Sequence, residues 1–445
     1  MIKRIFYFSL LLSVGLQAQQ QATVLDLQGA IEYGMANNPS MQNASLEIQK
    51  AYKERWATIA IGLPQISASG SYQNFLELPV SLIPAQFFGG QEGEFAEVQF
   101  GTTQNMVGSV QLNQLLFDGS YIVGVQASKI FLQISEIGYE KAGLEVRKAI
   151  VDAYGTVLLA RENAAILAKN KANLEQTLEE TKKIVANGFA EEENAEQLAL
   201  TLSRIDTQLK YANNLKIITL DMLKWILGMP EAENLVLEQS LEELVALKML
   251  ETMGPNELDI ENNVDLKFAQ NDRTSETLLY RYEKSKALPR LSAFLNGTYT
   301  GNSNEFSFTD SNQKWFGSSL LGLNLQVPIF SSLMRSAKTQ KAKLAVEQAE
   351  IRVSDTRNRL MIELEMALND LNLALKTYAT SKEDLALAER IEQKNKIKFL
   401  EGISSSFELR QAQQQLYSIQ NQYLQSMKAV IDAKTKLETL TNTPK

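Results

Sequence analysis

Two periodicities alternate along this chain, and they recur in the same order in its two halves. Leu291, Ala293, Leu295, Gly297 and Tyr299 alternate with Ser292, Phe294, Asn296, Thr298 and Thr300. Leu321, Leu323, Leu325 and Val327 alternate with Gly322, Asn324 and Gln326. Nearer the start, Val110 and Leu112 alternate with Ser109, Gln111 and Asn113, and a weaker run sets Ile66, Ala68 and Tyr72 against Ser67, Ser69 and Ser71. A period of two predicts strands with one apolar face and one uncharged polar face. Elsewhere the spacing changes to three and four. Leu364, Leu368, Leu371, Leu375, Tyr378 and Leu385 follow it with one position skipped, as do without a gap Leu409, Ala412, Leu416, Ile419, Tyr423, Met427 and Val430, and Leu198, Leu202, Ile205, Leu209 and Ala212. These are single narrow seams of the coiled-coil kind.

Proline placement fixes where such helices can run. All nine prolines lie outside 85–229 and 329–443. Within those stretches, 120–187 and 333–401 read as continuous helix rich in Ala, Leu, Glu, Lys and Gln. At about 70 residues each they would be about 100 Å long, beyond an ordinary globular helix. With one seam apiece they must pack side by side as antiparallel hairpins. Asn187-Gly188 and Glu401-Gly402 mark the hairpin tips, with glycine in the left-handed cap. Ser404, Ser405 and Ser406 offer N-cap oxygens to the returning helix.

Three marker pairs tie the halves together. Gly62-Leu63-Pro64-Gln65-Ile66-Ser67-Ala68 matches Ala287-Leu288-Pro289-Arg290-Leu291-Ser292-Ala293. Leu112–Phe117 matches Leu325–Phe330, and Ala186-Asn187-Gly188-Phe189 matches Leu400-Glu401-Gly402-Ile403. Their offsets are about 225, 213 and 214 residues, which implies two equivalent structural units. The first repeat is 19–229, with a strand pair at about 64–117 and a hairpin tip at Gly188. The second is 263–445, with a strand pair at about 289–330 and a tip at Gly402. Residues 230–262 join them as an acidic side element with apolar runs such as Leu241, Leu244, Val245 and Leu247, packed outside the helices. Tyr72, Phe75, Phe117, Tyr299, Trp315, Phe316 and Phe330 fall near strand ends, where interfacial aromatics belong. The loop at about 74–105 is long and carries Phe87, Phe88, Phe95 and Phe100, whereas the loop at about 301–314 is short and polar. A phage or partner site and a flap folded over a pore mouth are both open readings of the long loop.

The N-terminus adds an address. Lys3 and Arg4 precede an apolar run at 5–16 that is too short to span a bilayer, and Ala18 closes a small-residue cleavage pattern. Residues 1–18 therefore read as a secretory signal peptide, with the mature chain starting near Gln19. No later run reaches the length of a transmembrane helix. The chain contains no Cys and no His. That leaves no disulfide, no thiolate metal site and none of the commonest general base or metal ligand. No catalytic, cofactor or metal residues are expected, and an enzyme built on carboxylates alone has no marked site. A net charge of -8 without a basic stripe argues against nucleic acid.

Four strands cannot close a barrel in one chain, because small barrels need about eight. Open edges cannot face lipid, where unpaired backbone groups cost several kcal/mol. Copies joined head to tail around an axis would close both the sheet and the helices into a hollow cylinder. A competing reading is a non-transport periplasmic coiled-coil scaffold or a surface adhesion protein. It explains the helices and the signal peptide but not the strand pairs at matching points.

The Leu-Pro-x-[Ile/Leu]-Ser motifs at 63–67 and 288–292, the segments Leu115-Leu116-Phe117-Asp118-Gly119-Ser120 and Pro328-Ile329-Phe330-Ser331, and the glycine-tipped hairpins resemble the TolC-like outer-membrane factor family. The resemblance covers nearly all of the mature chain. It implies a mostly α fold with a transmembrane β part: a homotrimer with a 12-stranded β-barrel continued by a long periplasmic α-helical barrel. It implies residence in the outer membrane of a Gram-negative bacterium, in contact with outer-membrane lipid. The implied function is a passive exit duct for small molecules or polypeptides, within a tripartite efflux pump or type I secretion system. The implied partners are a periplasmic adaptor (membrane fusion) protein and an inner-membrane transporter of the RND or ABC type. The adaptor would contact the tips at Gly188, Phe189, Gly402, Ile403 and Ser404. The positions that ring the periplasmic aperture in the family fall at Glu408 and Gln411, so one acid is kept and one is lost. A solvated helix face is the plain alternative for Glu408. The family's polar lock falls at Phe399 and Ser404, where its Tyr and Arg are missing, so the lock here is absent or different. Glu191, Glu192 and Glu193 either bring charge to the mouth or form an ordinary acidic first turn stabilised by the helix dipole.

Overall fold

The computed structural model describes residues 23–250 and 258–442. The proposed signal peptide lies outside the described residues. In chain order the elements are β1 (Thr23–Leu25), α1 (Leu27–Asn37), α2 (Pro39–Ala60), β2 (Gln65–Asn74), β3 (Val80–Pro84), a 3-10 turn (Ala85–Phe88), β4 (Phe95–Gln99), β5 (Gln104–Asp118), α3 (Gly119–Ala186), α4 (Glu192–Leu227), β6 (Leu235–Leu237), α5 (Leu241–Leu250), a 3-10 turn (Ile260–Asn262), α6 (Val264–Ser285), β7 (Arg290–Ser303), β8 (Trp315–Gln326), α7 (Met334–Leu400) and α8 (Ser406–Thr441). The long helices match their predicted bounds to within a residue: α3 holds 68 residues and α7 holds 67. Among the described residues no helix is long and apolar enough to cross a membrane.

The chain forms two compact units, each drawing on both sequence halves. The first comprises residues up to Ser45, Gly138–Val264 and residues from Arg357 onward. Its main core gathers Leu27 and Ile31 of α1, Ile150, Tyr154 and Leu158 of α3, Leu223 and Leu227 of α4, Leu241 and Leu244 of α5, and Met427 and Ile431 of α8. Asp26 caps α1, its Oδ1 accepting from the Gly29 N–H at 2.7 Å, and Pro39 opens α2 where a free N–H is not needed. The joining element is a built part of this unit. β6 pairs in parallel with β1, and α5 packs on α8. Leu244 and Val245 are buried as expected, whereas Leu247 faces solvent. Lys248 of α5 donates to Glu438 of α8 at 3.2 Å, with both side chains buried. Tyr154, buried in the same core, has its hydroxyl pKa pushed up to about 12 by desolvation.

The second unit comprises Leu46–Ile137 and Asp265–Thr356. It holds one antiparallel four-stranded sheet in the order β2-β5-β7-β8. A register shift between Leu115 and Phe117 bulges β5 where it runs toward α3. The long 74–105 loop contains a hairpin of its own, β3 paired with β4. Phe87, Phe88, Phe95 and Phe100 stay exposed on it. At the same end of the sheet Tyr72, Phe306 and Phe308 form an edge-to-face cluster with centroids 5.6–5.9 Å apart, and Trp315 lies tilted against Phe308 at 6.2 Å.

Candidate functional site: the hairpin tips and the open sheet

Both long hairpins turn in the same way. At the first tip the Phe189 N–H reaches back to the Ile184 carbonyl (3.0 Å) and the Gly188 N–H to Val185 (2.9 Å). At the second, Ile403 donates to Lys398 (2.8 Å) and Gly402 to Phe399 (3.1 Å). This is the Schellman pattern, and it places the glycines at φ +77 and +74°, where a Cβ would be strained. The residue after each glycine normally folds onto the helix. Here Phe189 and Ile403 instead stand in solvent, at 84% and 71% exposed, with Phe407 at 61%.

Beneath the second tip, Ser405 caps α8. The Glu408 N–H donates to Ser405 Oγ and the Ser405 N–H donates to the Glu408 carboxylate, closing a capping box. The Ser404 hydroxyl also donates to Glu408. These bonds, the Ser404 hydroxyl first, hold the Glu408 carboxyl below its ordinary pKa. Glu408 and Gln411, one helical step of three apart, are both exposed. At the first tip Glu191 is the N-cap of α4, and Glu192 and Glu193 form its acidic first turn.

The tips rest on a small core of Leu174, Leu178, Leu198, Ile205, Phe399 and Leu409, drawn from all four long helices. Phe399 is buried in it, which accounts for an apolar ring at this position. The polar tie that sequence reasoning missed involves Arg410. Its Nη1 donates to Gln197 Oε1 at 2.6 Å, joining α8 to α4, and Gln197 donates in turn to Glu193 at 2.7 Å. The guanidinium also lies 5.6 Å from the Phe407 ring centre. One signal was available: Arg410 is the only basic residue between Lys398 and Lys428. Farther from the tips, Asn170 of α3 donates to Gln420 of α8 in a buried bond of 2.8 Å.

In the second unit the sheet register sorts side chains by polarity. Ile66 lies opposite Leu112, which lies opposite Leu295, which lies opposite Leu321. Ala68, Val110 and Gly297 continue that face in one direction, and Ala293 and Leu323 in the other. On the other face Ser69, Ser109, Thr298 and Ser318 align, as do Ser67, Gln111 and Asn296. The polar face bonds to itself, with Ser69 Oγ 2.8 Å from Ser109 Oγ and Asn105 donating to Asn302 at 2.7 Å. β2 and β8 each have one strand partner, so the sheet has two open edges.

A family model described as outer membrane efflux protein matches residues 31–214 and 257–443, most of the chain, and the protein belongs to that family. The fold is similar to that of CusC, solved in a study of folding and transmembrane channel formation (16% identity, 96% of this chain and 95% of that chain covered, TM-score 0.72). It is similar to the outer membrane protein VceC of Vibrio cholerae (13%, 93% and 95%, TM-score 0.70) and to the outer membrane channel CmeC of Campylobacter jejuni (18%, 94% and 85%, TM-score 0.70). At these identities the likeness is one of fold. No curated protein sequence matches.

Proposed function

We propose that three copies of this chain form an outer-membrane exit duct, the passive last stage of a tripartite efflux pump or type I secretion system. Four strands from each copy make a 12-stranded barrel, and the helical hairpins form a tunnel on the periplasmic side. The observation that carries this reading is the four-stranded sheet, apolar on one face and uncharged polar on the other, with β2 and β8 unpaired at its edges. Such a sheet in lipid needs its edges satisfied, and a neighbouring copy supplies the missing strand on each side. The helices support the same geometry. Tyr211, Ile218 and Trp225 form an exposed stripe at seven-residue spacing on α4, and Met366, Leu373 and Leu387 form another on α7 with Thr380 at the skipped position. Each is a coiled-coil seam that lacks its second helix within the chain.

The two sequence repeats, 19–229 and 263–445, then supply equivalent hairpins to the tunnel wall. Gly188, Phe189, Gly402, Ile403 and Ser404 form the surface offered to a periplasmic adaptor, which links the duct to an RND or ABC transporter in the inner membrane. The exposed Phe189 and Ile403 support that assignment, since apolar side chains held out on rigid turns suit a docking partner. Glu408 and Gln411 face the periplasmic aperture, with Glu408 as its fixed negative charge. Reconstitution of the purified protein in planar bilayers tests the reading. Discrete single-channel steps from heat-resistant trimers support it, and a chain that stays monomeric and conducts nothing refutes it.

A further inference from the structure

The four strands carry almost no charge. Within β2, β5, β7 and β8 the charged residues are Asp118 and Arg290 alone. The register sets these two opposite one another, and Arg290 Nε lies 3.6 Å from Asp118 Oδ2. Arg290 shares its side of β7 with Ser292 and Asn296, so the pair belongs to the polar face, at the end where β5 runs into α3. A groove of about 510 Å³ there brings Arg290 together with Gln65, Asn113 and Ser292. The other Asp118 oxygen is committed to the α3 start, accepting from the Ser120 N–H (2.8 Å) and the Tyr121 N–H (3.2 Å). The rest of the polar face offers hydroxyls and amides, interrupted by Val107, Leu115, Phe294, Phe316 and Leu320.

We infer that the strand region is a charge-neutral sleeve whose neutrality depends on the Asp118–Arg290 pair, so that it passes cationic and anionic cargo alike. This rests on the proposed channel, in which the polar face lines the lumen. Rings of charged side chains are the usual source of ion preference in a pore. Here each ring member would be cancelled by its neighbour, and the remaining lining can only hydrogen-bond. Cargo in this region is discriminated by size and hydrogen bonding, and any preference for one sign of ion arises outside the strands.

Reversal potentials of single trimers in a salt gradient test this. Arg290→Gln leaves three bare carboxylates and should shift the potential toward cation preference. Asp118→Asn keeps an acceptor for the α3 start, leaves three bare guanidinium groups, and should shift it toward anions. The double variant should return to the wild-type value. Conducting trimers whose potential ignores both single changes overturn the inference and leave the channel standing. Should either single variant fail to assemble, Ser109→Lys and Ser109→Glu, in the middle of the polar face, give the second reading. Equal and opposite shifts from the two support a neutral lining, and an unchanged or one-sided response overturns it. A wild-type protein without conductance removes the channel and the sleeve together.

Discussion

Arg410 and Gln197 stand 213 positions apart in the sequence and 2.6 Å apart in the fold. Their bond joins the second hairpin to the first just behind the tips, and Gln197 passes it on to Glu193. The small apolar core beneath provides attraction without direction, whereas this bond fixes how α8 and α4 sit against each other.

Arg410→Ala should therefore loosen the tips more than it destabilises the protein. A hydrogen bond from a charged group contributes about 1.5–3 kcal/mol when sheltered, and partial exposure here lowers that to about 1 kcal/mol. Hydrogen exchange should quicken in the first turns of α4 and α8 while the main core stays protected. Gln197→Ala should give the same pattern, and the double variant should add little to either. Additive effects would show that the two residues act separately.

The tip glycines give a sharper local test. Gly402→Ala places a Cβ on a residue at φ +74°, at a cost of about 1 kcal/mol or more. The expected outcome is faster proteolytic nicking at the second tip with unchanged thermal unfolding of the whole. Gly188→Ala should do the same at the first tip. Unchanged nicking in both would mean the turns tolerate other conformations.

The Lys248–Glu438 pair holds the joining element to α8. Removing one partner breaks a buried charged hydrogen bond, so Lys248→Met alone should cost about 1.5–3 kcal/mol. Lys248→Met with Glu438→Leu should recover most of the loss. Thermal unfolding of the purified protein measures both, and a double variant no better than the single would assign the loss to packing instead.

The second tip should weaken in acid. The Glu408 pKa is depressed in the folded state by the Ser404 hydroxyl and the Ser405 N–H, so its contribution is present above the unfolded pKa and lost as pH falls through the folded one. Hydrogen-exchange protection in the first turn of α8, taken relative to the intrinsic rate at each pH, should fall below about pH 4, the ordinary carboxyl range, and should do so at a higher pH in Ser404→Ala. An identical pH profile in that variant would remove Ser404 from the capping arrangement.

Much of this architecture was legible in the sequence because the signals were long. α3 and α7 keep one composition over nearly their whole length without a proline, and β7 and β8 alternate over most of their length, broken at Phe294, Phe316 and Leu320. The glycine tips were legible for the same reason that glycine is used there. The β3–β4 hairpin was not, since Pro79 and Pro84 bracket β3 and argue against a strand, and an exposed two-stranded ribbon can carry them at its ends. β1 and β6 are three residues each, too short for any period to show. Arg410 and Gln197 were invisible as a pair because neither is unusual on its own helix.

The central claim is that β2 of one copy pairs with β8 of the next, and the absence of native cysteine makes it directly testable. Single cysteines would be placed along β2 (Ser67, Ser69, Ser71) and along β8 (Ser318, Leu320, Asn324), combined pairwise, and oxidised in outer membranes. The account predicts that pairs in register give covalent dimers and trimers on denaturing gels, while either cysteine alone gives no covalent trimer. Protein that reaches the outer membrane yet forms no link between chains at any of these pairs would contradict it.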